Sequence, residues 1–166
     1  MNDNQEMDSA IYSFAPIADS FSKVLILGSI PGKESLRMCV YYAHPQNAFW
    51  KIIFDLHNIP FSKDYEVKKN LLLQNNIALW DVLRNCERQS SLDTDIKMEV
   101  PNDLRLFLSL HPGISNIFFN GKAAARYFSK YFSDIRLPNL VLPSTSPAHA
   151  IKWEQKMAIW QVIKAP

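Results

Sequence analysis

The chain has 166 residues, of which 48% are apolar and 20% charged, and its formal net charge is +2. That length and composition suit one globular domain over residues 1–166 with a proper core, residues 1–10 being a candidate disordered lead. The near-balanced charge does not mark a strongly basic nucleic-acid binder, so any DNA contact must come from local features, and a small or neutral partner stays open.

Two cysteines, Cys39 and Cys86, cannot supply the four ligands of a structural zinc or an iron–sulfur cluster. The polar start from Met1 to Asp8 lacks the basic and apolar regions of a signal peptide. No segment approaches the roughly 20 apolar residues of a membrane span. The expectation is a cytoplasmic protein with reduced thiols and no membrane segment.

In chain order, Val24 to Leu27 is the first predicted strand, a continuous apolar run closed by Gly28. From Ala48, the residues Phe49, Ile52, Ile53 and Leu56 recur at helical spacing. Ile77 to Trp80 is the second predicted strand and Leu104 to Leu110 a second helix. Ile114 to Phe119 is the third strand, followed by a helix from Ala123 to Tyr131. Leu140 to Leu142 is the fourth strand, and Trp153, Met157, Trp160 and Ile163 form a last apolar stripe. Strands alternating with helices predict an α/β fold, a three-layer α/β/α sandwich around a mostly parallel four-stranded sheet. Ligands of such sheets sit beyond the carboxyl ends of the strands.

Each strand-end loop has a bland reading beside a chemical one. Gly28-Ser29-Ile30-Pro31-Gly32 is a tight turn whose backbone amides could approach a ligand, or simply a connection. Tyr41-Tyr42-Ala43-His44-Pro45-Gln46-Asn47 places aromatic faces, an imidazole and an amide before a helix. Aromatic faces stack on bases, but the tyrosines could equally pack on the sheet edge. Asn47 could be a site residue or the helix N-cap. Phe49 and Trp50 read as core. Asp81 ends the second strand as a ligand acceptor or a turn residue. Asn120-Gly121-Lys122 could cap the next helix or present Lys122 to a phosphate. Pro143-Ser144-Thr145-Ser146-Pro147-Ala148-His149 is a stiff polar loop with phosphate-binding hydroxyls. Lys33, Arg37, Arg84, Arg88, Lys122, Arg126, Lys130 and Lys152 are scattered, compatible with a modest basic face or a solvated surface.

Taken together, these loops resemble the uracil-DNA glycosylase superfamily. In its mismatch-specific branch the first motif reads Gly-x-Asn-Pro-Gly, then an aromatic followed by Ala-His-Pro-x-Asn-x-Phe-Trp. Here Gly28-Ser29-Ile30-Pro31-Gly32 is followed by Tyr42-Ala43-His44-Pro45-Gln46-Asn47-Ala48-Phe49-Trp50. Pro143-Ser144-Thr145-Ser146-Pro147 stands where the family has its second motif. One departure selects the branch: the usual catalytic Asn or Asp falls on Ile30, which cannot orient water. The hypoxanthine-DNA glycosylases share an apolar residue there and also resemble the chain at Ala78 to Leu83 and Leu142 to Ala148.

The resemblance implies removal of hypoxanthine from DNA with Asn47 as catalytic residue, positioning water on the sugar carbon. It implies that Tyr42 stacks on the flipped base and that Gly28, Ser29, Ile30 and Pro31 line the base pocket. Asp81 would accept the N1–H of hypoxanthine and repel the N1 acceptor of adenine. Ser144, Thr145, Ser146 and Pro147 would grip phosphates, with Lys122 and His149 as further DNA contacts. No metal, iron–sulfur cluster or other cofactor is implied, no lyase step, and a monomer is expected. The alternatives are uracil or mismatched thymine as substrate, or an inactive nucleic-acid-binding module of the same fold. An α/β small-molecule hydrolase ranks last, because the chain has neither a nucleophile elbow nor a phosphate loop.

Overall fold

The computed structural model of the chain describes residues 10–164. The candidate disordered lead lies outside the described residues except for Ala10, which opens the first strand. The strands are β1 (Ala10–Tyr12), β2 (Val24–Gly28), β3 (Ile77–Asp81), β4 (Leu83–Glu87), β5 (Lys97–Pro101), β6 (Asn116–Asn120) and β7 (Asn139–Leu142). The helices are α1 (Lys33–Met38), α2 (Phe49–Leu56), α3 (Tyr65–Gln74), α4 (Leu104–Leu110), α5 (Lys122–Tyr131) and α6 (Trp153–Trp160).

The central sheet has the order β3-β2-β6-β7, and all of its pairings are parallel. Every residue of β2 is buried, as a central strand covered on both faces requires. Successive side chains alternate between two cores. Val24, Ile26, Ile77, Leu79 and Phe118 meet α2, α3 and α6 on one face. Leu25, Leu27, Ala78, Ile117 and Phe119 meet α4 and α5 on the other. This is the expected three-layer sandwich, and all four expected strands form it. No helix among the described residues is long and apolar enough to cross a membrane.

A second, three-stranded antiparallel sheet, β1-β4-β5, was not foreseen. Its strands carry little periodic signal: β4 follows β3 after the single residue Val82, and only Leu83 and Cys86 of it are buried. β5 has no fully buried residue and pairs with register shifts. Buried Asn102 fixes the crossing from one sheet to the other, its Nδ2 donating to the carbonyls of Asp81 (2.8 Å) and Leu83 (3.1 Å). α3 was also missed. It buries only Leu71 and Leu72, and Asp64 starts it by accepting from the amides of Glu66 and Val67. The third strand begins at Asn116 rather than Ile114, because Ile114 still belongs to the turn whose amide donates to His111.

Parallel pairing brings the strand ends into line. Gly28 is in register with Asp81, and Asn120 with Leu142. The loops that follow therefore crowd together at one edge of the molecule.

Candidate active site

A cleft of about 470 Å³ opens at that edge. It is lined by Gly28, Ser29, Ile30, Pro31, Tyr42, Asn47, Asp81, Ser144, Thr145, Ser146 and Pro147, which brings together residues more than a hundred positions apart. Lys122 and His149, two of the proposed DNA contacts, are exposed and do not line it.

The floor is built around Gly28. A Cβ on that residue would lie 2.6 Å from Asp81 Oδ1 and 2.8 Å from Tyr42 Oη, so only glycine lets both groups converge here. Asp81 is 3% exposed, and among the described residues neither its Oδ2 nor the Tyr42 hydroxyl has a hydrogen-bond partner. Burial pushes the Asp81 carboxyl up to about 7; the nearby Ser13 hydroxyl and the Arg88 charge oppose this, and the Asp93 charge adds to it. Asp81 therefore crosses between acceptor-only and donor–acceptor forms near neutrality. Burial likewise raises the Tyr42 phenol, which stays neutral.

Tyr42 has a left-handed backbone, with φ of 52°. A bulky residue in that region stores on the order of 1–3 kcal/mol of strain and is held there by its surroundings. Its ring stacks on Phe49, with centroids 4.3 Å apart. Tyr41, next to it, is fully packed, and its hydroxyl donates to the Ala15 carbonyl (2.9 Å). Both adjacent tyrosines reach the cleft, Tyr41 as a buried core residue and Tyr42 half-buried against that core. Phe49 and Trp50 are core residues as expected.

Asn47 combines both of its readings. Its Oδ1 accepts from the Phe49 amide at 3.0 Å, the first N–H of α2. The formal cap residue, Ala48, has no side-chain cap bond, and its amide donates to the Thr145 carbonyl (3.0 Å). A carboxamide oxygen accepts two hydrogen bonds, so among the described residues one lone pair of Asn47 Oδ1 stays free at the cleft and its Nδ2 has no partner.

The loop after β7 is locked from two sides. Asn120 does not cap α5, whose cap position is Gly121. Instead its Nδ2 donates to Thr145 Oγ1 and its Oδ1 accepts from the Thr145 amide, both at 2.9 Å. Thr145 is 1% exposed, so its hydroxyl faces inward as an anchor while Ser144 and Ser146 flank it at the cleft. From behind, the buried Lys156 ammonium donates to the carbonyls of Ser144 (2.8 Å) and His149 (3.2 Å). Burial lowers its pKa.

A further wall comes from Arg88, Ser91, Leu92 and Asp93, which the sequence did not mark as site residues, beside Gly32 to Ser35. Ser29 Oγ donates to Asp93 Oδ1 (2.6 Å), the Lys33 amide donates to Ser91 Oγ (3.0 Å), and Arg88 Nη2 donates to the Pro31 carbonyl. Three contacts thus seat this loop on the turn after β2. Lys156 had one legible signal, a charge beside the apolar stripe Trp153, Met157 and Trp160. Arg88 had none, since it follows a strand that shows no clear alternation. The other scattered cations divide: Arg37 and Lys130 are ion-paired with Glu34 and Glu99 on the surface.

The family model of the uracil DNA glycosylase superfamily matches residues 16–165. The chain belongs to the uracil DNA glycosylase superfamily. Among its superfamily relatives, a protein named hypoxanthine DNA glycosylase from Methanosarcina acetivorans is 33% identical over 153 residues, covering 90% of this chain and 95% of the relative. One of the same name from Methanosarcina barkeri is 36% identical over 119 residues, covering 69% and 73%. A solution NMR structure of a Methanosarcina acetivorans protein, provisionally described as a uracil DNA glycosylase, superposes with a TM-score of 0.82. It has 30% sequence identity, with 93% of this chain and 96% of that one covered.

Proposed function

We propose that this member of the superfamily is a monofunctional DNA glycosylase that hydrolyses the N-glycosidic bond of a deaminated base, hypoxanthine, flipped out of DNA. The observation that carries the reading is the juxtaposition, in one cleft, of the Asn47 amide, the Tyr42 ring and the buried Asp81 carboxylate, with apolar Ile30 on the turn between them. The names of the two Methanosarcina relatives support the choice of base.

Breaking the bond leaves positive charge on the sugar and negative charge on the base, and both must be stabilised while one water is admitted. The base first leaves the stack and enters the cleft. Tyr42, occupied by Phe49 on one face, offers the other to the purine. Ionised Asp81 accepts the N1–H. Asn47 uses its free lone pair to orient the attacking water; an amide is no strong base, so its part is positioning. Ser144 and Ser146, held by the Asn120–Thr145 pair, take the flanking phosphates, with Lys122 and His149 reaching DNA outside the cleft. Asp81 would equally accept the N3–H of uracil, which keeps uracil as the second reading. The protein works in the cytoplasm as a monomer.

The test uses duplexes with one hypoxanthine, uracil, xanthine or mismatched thymine, incubated with EDTA and then cleaved with alkali. Strand breaks at hypoxanthine above all others are expected. Breaks at uracil alone would overturn the choice of base, and no breaks would favour an inactive binding module. Lys33 is the one lysine lining the cleft among the described residues. Borohydride added during turnover should trap no covalent complex, because no Schiff base forms.

A further inference from the structure

Resting on the glycosylase reading, we propose that Arg88 is the catalytic cation for the departing base, donating a hydrogen bond to the purine as it becomes an anion. Arg88 follows directly on β4 and is 5% exposed, yet it lines the cleft. One of its nitrogens is committed to the Pro31 carbonyl, and its Nε is buried with no hydrogen-bond partner. It forms no ion pair with any described carboxylate.

The charges of Asp93, Asp81 and Asp95 favour the guanidinium from beyond ion-pair distance, yet burial outweighs them and lowers its pKa, so a buried guanidinium with an unused donor is a costly arrangement for stability alone. It is well suited to a reaction that creates negative charge beside it. The other cationic or potentially cationic groups on the cleft, Lys33 and His44, are exposed to solvent, which screens them. Arg88 is thus the one buried cation lining the cleft among the described residues, and it stands in surroundings of low dielectric where a fixed donor acts most strongly.

The step balances without an added reactant. The C1′–N9 bond breaks and its electron pair stays on the purine. Water forms the new bond to C1′ and loses a proton, and the base leaves neutral after taking up one proton. Arg88 stays protonated throughout and gives a hydrogen bond, not a proton. Its second bond, to Pro31, orients the guanidinium and also ties it to the turn that lines the pocket.

The variants R88Q and R88K separate charge stabilisation from turn clamping. Two quantities are measured: the single-turnover rate on a hypoxanthine duplex, and the affinity for the same duplex carrying a tetrahydrofuran abasic analogue, which has no base to stabilise. R88Q is expected to lose about 10²-fold in rate, with abasic-DNA affinity within about threefold of wild type. R88K, which keeps the charge but loses the planar fork, should fall between. A rate for R88Q within about threefold of wild type, or a parallel loss on both DNAs, would overturn the proposal and leave Arg88 a clamp. Should R88Q not fold, R88K decides by the same split: a lower rate with unchanged abasic-DNA affinity supports the proposal, and parallel or absent effects reject it. A wild-type protein that leaves hypoxanthine in place refutes the glycosylase reading, and this inference with it.

Discussion

Asn120 and Thr145 hold each other through two reciprocal hydrogen bonds of 2.9 Å, although one ends β6 and the other lies in the loop after β7. The Thr145 carbonyl then takes the Ala48 amide, so the same pair also fixes the start of α2 beside Asn47. A side chain that reads locally as a helix cap, and a hydroxyl that reads as a phosphate contact, together make the joint between the two site loops.

Replacing Thr145 by Val should therefore loosen the site more than the fold. It leaves the half-buried Asn120 amide N–H without its acceptor, at a cost of about 1 kcal/mol. The expected result is a lower thermal midpoint and a several-fold weaker affinity for abasic DNA, read by calorimetry and fluorescence anisotropy. Unchanged DNA affinity would remove the loop's assigned role.

Asp81 makes stability depend on pH. Its carboxyl is at about 7 in the folded chain against a reference of 3.8, so the folded state holds its proton longer. Stability therefore falls as pH rises from about 4 to about 7, by at most about 1.4 kcal/mol per unit, and changes no further above that. Asp81→Asn should be more stable than wild type at about pH 8 and nearly equal at about pH 4. A difference that does not vary with pH would refute the assignment.

On the proposed reading, the same titration should set base selectivity. Ionised Asp81 accepts from hypoxanthine, whereas protonated Asp81 can donate to the N1 of adenine. Excision of hypoxanthine should rise as pH passes the Asp81 pKa, and discrimination against adenine should be weakest on its acid side. Comparing both bases across pH, with Asp81→Ala alongside, checks this; a variant with unchanged selectivity would remove Asp81 from base recognition.

Gly28→Ala should strain the pocket floor, because the new methyl meets Asp81 Oδ1 and Tyr42 Oη at contact distances no methyl tolerates. A destabilisation of about 1–3 kcal/mol is expected. Adding Tyr42→Phe removes one of the two clashes and should restore part of it, as denaturant unfolding of the single and double variants would show.

Lys156→Met keeps the helical stem and removes the donor to Ser144 and His149. Melting temperature should change little, since a methionine suits the surrounding apolar core. Abasic-DNA affinity should fall several-fold as the loop loses its backing. A large loss of stability with intact affinity would mean that the ammonium serves the core, not the loop.

The central sheet was legible because buried parallel strands are written as unbroken apolar runs, as in Val24 to Leu27. The lining of the cleft was legible where a motif is contiguous: Tyr42, His44 and Asn47 and the turn from Gly28 to Gly32 line it, with Phe49 and Trp50 in the core beneath. What escaped was made by contacts distant in sequence. Arg88 and Asp93 reach the cleft only because Val82 lets β3 run straight into a second sheet, and no local pattern encodes that. The bond of Asn120 to Thr145 was not legible because its partner lies 25 positions away. The half-buried strands β4 and β5 lack the alternation that would have revealed them.

The most direct test of the account is to assay free base released from a hypoxanthine duplex, by chromatography with EDTA present, for wild type and for Asn47→Ser. Serine keeps a helix-capping oxygen and removes the carboxamide. The account predicts free hypoxanthine and an equal amount of abasic site from wild type, with the rate lowered on the order of 10²-fold or more in a folded Asn47→Ser protein. Hypoxanthine release that survives the substitution would contradict the role of Asn47, and no release from wild type would contradict the function itself.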